Sequence, residues 1–161
     1  MREICARKHL ANHYNFVMFI RDAELDDAAE LAVLMCQLGY ETRRPEMEIR
    51  LKLILSNPAY KTIVAIMHGR VCGMIGTLMY ASYEHNDSGA RIMALVTSTT
   101  ARRRGIGRAL LTTVEKDLAQ RRIRRVALDT RLAREDTHKF YESLGYERNG
   151  WRYVKQLPVT D

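Results

Sequence analysis

Between Leu95 and Leu118 the chain reads as a strand, a short connection, an arginine-glycine loop and then its clearest amphipathic helix. Ile106, Leu110, Val114 and Leu118 recur about once per helical turn, while Glu115 and Lys116 fall elsewhere. A helix so patterned must lay its apolar stripe on other elements. It also opens with unpaired backbone N–H groups and the positive end of its dipole, which together favour a phosphate in front of it. In Arg102-Arg103-Arg104-Gly105-Ile106-Gly107-Arg108 the arginines add charge and bidentate donors, and the two glycines let backbone approach a ligand closely. Two familiar phosphate loops fail here. A Walker loop needs a lysine that is absent, and a dinucleotide fingerprint would need its third glycine where Leu110 stands.

The rest of the chain suggests what that helix packs on. Residues 1 to about 15 are polar and weakly patterned and read as an N-terminal leader, with one domain over 16–161. Phe16–Ile20 reads as a first strand. Asp22, Glu24, Asp26 and Asp27 then open a helix whose apolar positions run from Ala28 to Leu38, with Gly39 as its stop. Pro45 suits the first turn of a second helix to about Leu55. Thr62–Met67 and Val71–Tyr80 read as a hairpin turning at His68-Gly69, and Gly73 and Gly76 mark close packing within it. After a polar loop, Arg91–Thr97 is a strand. Arg125–Thr130 follows as another, with Val126, Leu128 and Thr130 on one face and Ala127 and Asp129 on the other. A helix over Arg134–Leu144 ends at Gly145, and Trp151–Leu157 reads as a closing strand. The order β, α, α, β, β, β, α, β, α, β predicts an α/β domain built on one mixed sheet flanked by helices.

Two motifs in this order carry a resemblance. The first is R-x-x-G-x-G at Arg102, Gly105 and Gly107, following a strand. The second is Thr137-His138-Lys139-Phe140-Tyr141-Glu142-Ser143-Leu144-Gly145-Tyr146, with its "FYE-x-LG-aromatic" ending. In both, and from about Val17 to Leu157, the chain resembles the GCN5-related N-acetyltransferase (GNAT) family. That resemblance implies a twisted, mostly antiparallel mixed sheet and acetyl-CoA as cosubstrate, with no metal. It implies that backbone groups near Val96 and Thr97 run beside the pantetheine arm. It further implies that the N–H groups from Arg103 through Arg104, Gly105, Ile106 and Gly107 to Arg108 hold the pyrophosphate. Arg102 and Arg104 would steady the loop or touch phosphate. Many family members have proline at the place of Thr99 and asparagine at the place of Arg134, so no cofactor contact is assigned to Arg134.

Acyl transfer from a thioester to an amine needs a neutral amine, a proton for the departing thiolate and an N–H donor for the carbonyl oxygen. The family resemblance places Tyr141 beside the sulfur as the acid. Glu84, clustered with His85 and Asp87 before the fourth strand, is the first choice of base, with ordered water or a merely solvated loop as alternatives. Cys5, His9 and His13 share a helical spacing but lack a fourth ligand, so no metal site is assigned. Cys36 and Cys72 sit in apolar runs and read as core. Trp151 and Tyr153 suit either the core or an acceptor pocket.

The most economical function is direct N-acetylation of a primary amine, most readily on a small molecule. A protein or peptide amine, or acyl-CoA binding without turnover, is the alternative. A formal charge of +7 makes a polycationic acceptor less natural and raises a different class, nucleic-acid binding. The arginine clusters belong to no helix-turn-helix, zinc or aromatic stacking pattern, which argues against that class. No apolar run approaches the roughly 18 residues of a membrane span. Three widely spaced cysteines fit a reduced, cytoplasmic protein. Homodimers are common in such folds.

Overall fold

The computed structural model describes residues 17–159. The predicted leader and the Cys5, His9 and His13 spacing lie outside these residues. Among the described residues five strands form one sheet in the spatial order of the chain: β1 (Met18–Asp22), β2 (Tyr60–Met67), β3 (Arg70–Tyr80), β4 (Gly89–Thr97) and β5 (Arg125–Leu128). The first three junctions are antiparallel and β4 pairs β5 in parallel. Four α-helices among the described residues flank the sheet: α1 (Ala28–Leu38), α2 (Arg44–Leu55), α3 (Ile106–Gln120) and α4 (Glu135–Glu142).

The sheet separates two apolar layers. On one face, α1 and α2 bury Leu31, Leu34, Met47 and Leu51 against Val64, Ile66, Met74 and Val96. On the other, Ile106, Leu110, Leu111, Val114 and Leu118 of α3 bury against Ile63, Ala65, Ile75 and Ile92, and Tyr141 of α4 packs at the margin. The 3.6-residue period read from α3 is thus the period of its buried face.

Glycine sets helix ends where the chain needs positive φ. Gly39 at +104° and Gly145 at +87° follow α1 and α4, and each is bracketed by the paired hydrogen bonds of a Schellman ending. The same ending closes α3, but there Arg122 takes the left-handed position at +62°.

Two β-bulges adjust the faces. In the β2–β3 ladder Ala65 faces Gly73 while Ile66 faces Val71, so Cys72 is the extra residue. Cys72 and Gly73 consequently both address α3: Cys72 belongs to that core, and a Cβ on Gly73 would stand 2.8 Å from Ile106 and 3.2 Å from Leu110. In the β3–β4 ladder Gly76 faces Ala94 and Thr77 faces Ile92, which leaves Met93 as the extra residue. Ala90 and Ile92 face α3, yet beyond Met93 it is Leu95 that does so, while Ala94 and Val96 turn to α1.

Two expectations are corrected. Trp151–Leu157 forms no strand: these residues have no regular structure, and Trp151 and Tyr153 are 75% and 91% exposed, so neither is core. Strand composition becomes a strand only with a ladder to join, and no backbone bond of that kind reaches this segment among the described residues. Cys36 is exposed, its Sγ held by Thr42, whereas Cys72 is buried.

Gly73→Ala should therefore destabilise the fold by about 1–3 kcal/mol, because α3 cannot settle onto β3. Gly76→Ala, where a Cβ meets nothing nearer than 3.8 Å, should be neutral or stabilising by up to about 1 kcal/mol. Urea unfolding of the two variants checks the contrast.

Candidate active site

The site begins where β4 and β5 part company. Their parallel ladder runs from Gly89–Arg125 to Ile92–Leu128 and stops. From Met93 to Thr97, β4 continues with β3 on one side and, among the described residues, nothing paired on the other. That open edge is a row of backbone donors and acceptors able to take an extended ligand as a further strand. Val96 and Thr97 lie on it.

At the far end of this edge the chain turns into α3. Ser98 N donates to Cys72 O (2.8 Å) and Thr99 N to Gln37 Oε1 (2.9 Å), fastening the connection to β3 and α1. A single 3-10 turn over Thr99–Ala101 precedes the arginines. Arg103 and Gly105 both take positive φ, at 62° and 77°. Gly105 caps α3, and a Cβ there would meet nothing within 4 Å, so its requirement is conformational rather than steric.

The first backbone bond into α3 runs from Ala109 N to Gly105 O (2.9 Å), which leaves the N–H groups of Ile106, Gly107 and Arg108 outside the ladder. No acidic residue occupies the first turn of α3. Instead Arg102, Arg103, Arg104 and Arg108 crowd the positive end of the dipole, all exposed. Positive charge beside the dipole favours an anion there. A Cβ on Gly107 would point between Thr97 Oγ1 (3.7 Å) and the Phe140 ring (3.5 Å). Gly107 therefore keeps open the space between the β4 edge and α4.

Tyr141 lies on the α4 side. Its ring meets Phe140 and Tyr146 edge-on, with centroids 5.2 and 5.5 Å apart. Tyr146 donates to Glu115 Oε1 (2.9 Å), whereas the Tyr141 hydroxyl makes no hydrogen bond among the described residues. Burial pushes the Tyr141 phenol up to about 12, so it stays a neutral donor at any ordinary pH. Burial, and then the bond to Glu115, raises Tyr146 too.

Residues not foreseen in the sequence shape the surroundings. Arg134 Nη2 donates to Leu38 O (3.0 Å), bringing a cation to the C-terminus of α1 and tying it to the start of α4. His138 is buried, with Nε2 between the carbonyls of Arg131 (3.1 Å) and Leu132 (3.2 Å), and so shapes the loop entering α4. Glu84 stands apart from the loop. It is exposed in the segment before β4, at the strand end away from the start of α3, with its N–H on Ser82 Oγ (3.1 Å). Its neighbour Asp87 pairs with Arg125 (2.7 Å), whose hydrogen bond holds that carboxyl below the usual range.

The open strand edge, the helix start suited to an anion and the neutral phenol lie along one side of the sheet. A family model described as the acetyltransferase (GNAT) family matches residues 25–146, most of the chain. The chain belongs to that family. It is an acetyl-CoA-dependent acyltransferase. An aminoalkylphosphonate N-acetyltransferase from Salmonella typhimurium is 29% identical over 143 residues, which cover 86% of this chain and 90% of the relative. Among solved structures, a GNAT family acetyltransferase from Staphylococcus aureus superposes with a TM-score of 0.75 at 26% identity, covering 87% of this chain and 98% of that one. Glucosamine-6-phosphate N-acetyltransferase from Arabidopsis thaliana shares the fold, with a TM-score of 0.74 at 19% identity over 88% of this chain and 99% of that one. No helix among the described residues is long and apolar enough to cross a membrane.

The raised phenol gives a pH prediction. The folded protein binds the Tyr141 proton more tightly than the unfolded chain does. Its contribution to stability is therefore complete below about pH 10, the ordinary tyrosine value, and is lost as pH rises through about 12. Unfolding midpoints measured across that window should fall more steeply for the native protein than for Tyr141→Phe.

Proposed function

We propose that this protein transfers an acetyl group from acetyl-CoA directly to a primary amine of a small molecule. The observation that carries the reading is the open edge of β4 leading into an arginine-ringed helix start with its N–H groups unused. Backbone of Val96 and Thr97 pairs with the pantetheine arm, and one strand N–H there donates to the carbonyl oxygen as charge develops on it. The N–H groups from Arg103 to Arg108 hold the pyrophosphate, and Arg102 and Arg104 supply charge around it. Acetyl-CoA, when bound, supplies an acetyl thioester already activated for attack by nitrogen.

The proton inventory falls to two side chains. Tyr141 Oη gives its proton to the departing sulfur, for which a neutral and otherwise unengaged phenol is suited. Glu84 receives the proton of the acceptor ammonium. Exposed and remote from the loop, it does so by way of ordered water. No cysteine is needed as a nucleophile: Cys72 is buried, with its thiol pushed up by that burial. The relative that acetylates aminoalkylphosphonates supports a small acceptor over a protein side chain.

Isothermal titration with acetyl-CoA, beside the Gly107→Val variant, tests the loop. The native protein should bind and the variant should lose at least about tenfold in affinity, since its branched side chain fills the space between Thr97 and Phe140. Normal affinity in the variant would refute the assignment. With any amine that is turned over, Tyr141→Phe should lower kcat by about 100-fold or more while leaving acetyl-CoA affinity nearly unchanged.

A further inference from the structure

The helices α1 and α2 pack on β2, β3 and β4 on their side of the sheet, and among the described residues no β5 residue joins that core. Ala127, in the middle of the face, is exposed. Arg91 of β4 lies opposite Ala127 in the ladder, and Asp129 follows Leu128 at the point where the two strands part. A shelf results, bordered by the bulged Met93, next to the strand edge assigned to the pantetheine arm.

On this shelf two cations share one anion. The Arg91 guanidinium donates to Asp129 Oδ2, and Arg152 Nε lies 3.6 Å from the same oxygen. Two guanidiniums against one carboxylate leave one positive charge in excess. Each guanidinium carries five N–H donors, most of which this single carboxylate cannot satisfy. Both side chains are reachable from solvent, 41% and 63% exposed, while Asp129 is more sheltered at 28%. The neighbouring Arg125–Asp87 pair, in a hollow lined also by Arg122 and Arg124, lies where β4 and β5 begin, at the far end of their ladder from the point where they part.

We propose that Arg91 and Arg152, held by Asp129, recognise an oxyanion on the acceptor, so that the substrate is a small amine carrying a phosphonate, phosphate or carboxylate group. The inference rests on the acetyl-transfer reading and adds the acceptor's chemical class to it. An anion seated on the guanidinium forks leaves the amine end of a short molecule directed along the shelf to the parting of β4 and β5, where the thioester must lie. Bidentate geometry makes arginine the fitting residue for this task. Asp129 is a positioning residue: it keeps two long side chains from spreading into solvent and lowers the entropy lost when the anion arrives.

The test compares three amines of matched length with acetyl-CoA as donor: aminoethylphosphonate, β-alanine and propylamine. At least one anionic amine should exceed propylamine in kcat/KM by about tenfold or more, the order of one charge-assisted hydrogen bond. In Arg91→Gln, and separately in Arg152→Gln, that preference should shrink by about tenfold through a higher KM. Propylamine should be affected far less, and the acetyl-CoA Kd should be unchanged by calorimetry. Preference for the phosphonate or for the carboxylate identifies the oxyanion as tetrahedral or planar. Equal kcat/KM for charged and neutral amines in the native enzyme, or variants that weaken all three amines alike, would overturn the inference while leaving acetyl transfer standing. Failure of the native protein to bind acetyl-CoA would overturn both.

Discussion

The rest of the site depends on one constraint: β4 has a partner along the whole of one edge and along only half of the other. A parallel pair running the full length of β4 would satisfy every backbone group and leave a closed sheet. Because pairing ends at Ile92 and Leu128, the hydrogen-bonding capacity of the second half of the strand stays available. The same parting separates α3 from α4 enough for Gly107, Thr97 and Phe140 to border a space rather than a packed core.

Packing then fixes where the charge goes. Gly73 lets α3 sit tightly on β3, and that contact aims the helix start at the open edge. Arg102, Arg103 and Arg108 add like charge to the positive end of the dipole, which costs stability. Such a cost is tolerated when the fold's purpose is to hold a strong anion there. Arg103 adds backbone strain of about 1–3 kcal/mol by taking a left-handed conformation without being glycine. Electrostatic and conformational cost thus gather in the same few residues.

Much of this was legible in the sequence because it is written in short-range patterns. The apolar stripe of α3, the stops at Gly39 and Gly145, the hairpin turn and the Arg/Gly loop are all local signals, and each element formed close to its predicted bounds. What escaped depends on partners remote in sequence. Met93 looks like any strand residue, and only its ladder shows it to be the extra one. Trp151–Leu157 has the composition of a strand, yet whether it pairs is decided by another edge. Gly73 and Gly76 read alike, but only Gly73 faces a helix at close range. Arg134 and His138 serve distant or loop carbonyls that no spacing rule announces. Arg122 closes α3 in a conformation ordinarily left to glycine.

The bulge at Met93 makes the two halves of β4 answer to different alternations. Ahead of it even-numbered residues face α3; beyond it odd-numbered ones do. One residue therefore acts as a phase shift in the strand: paired regularly instead of bulged, it would exchange the faces of everything between it and the arginine loop. Leu95 would turn toward α1, and Ala94 and Val96 toward α3, with composition untouched. In this fold a single bulged residue decides which way the strand faces on its run from Arg91 to the arginine loop.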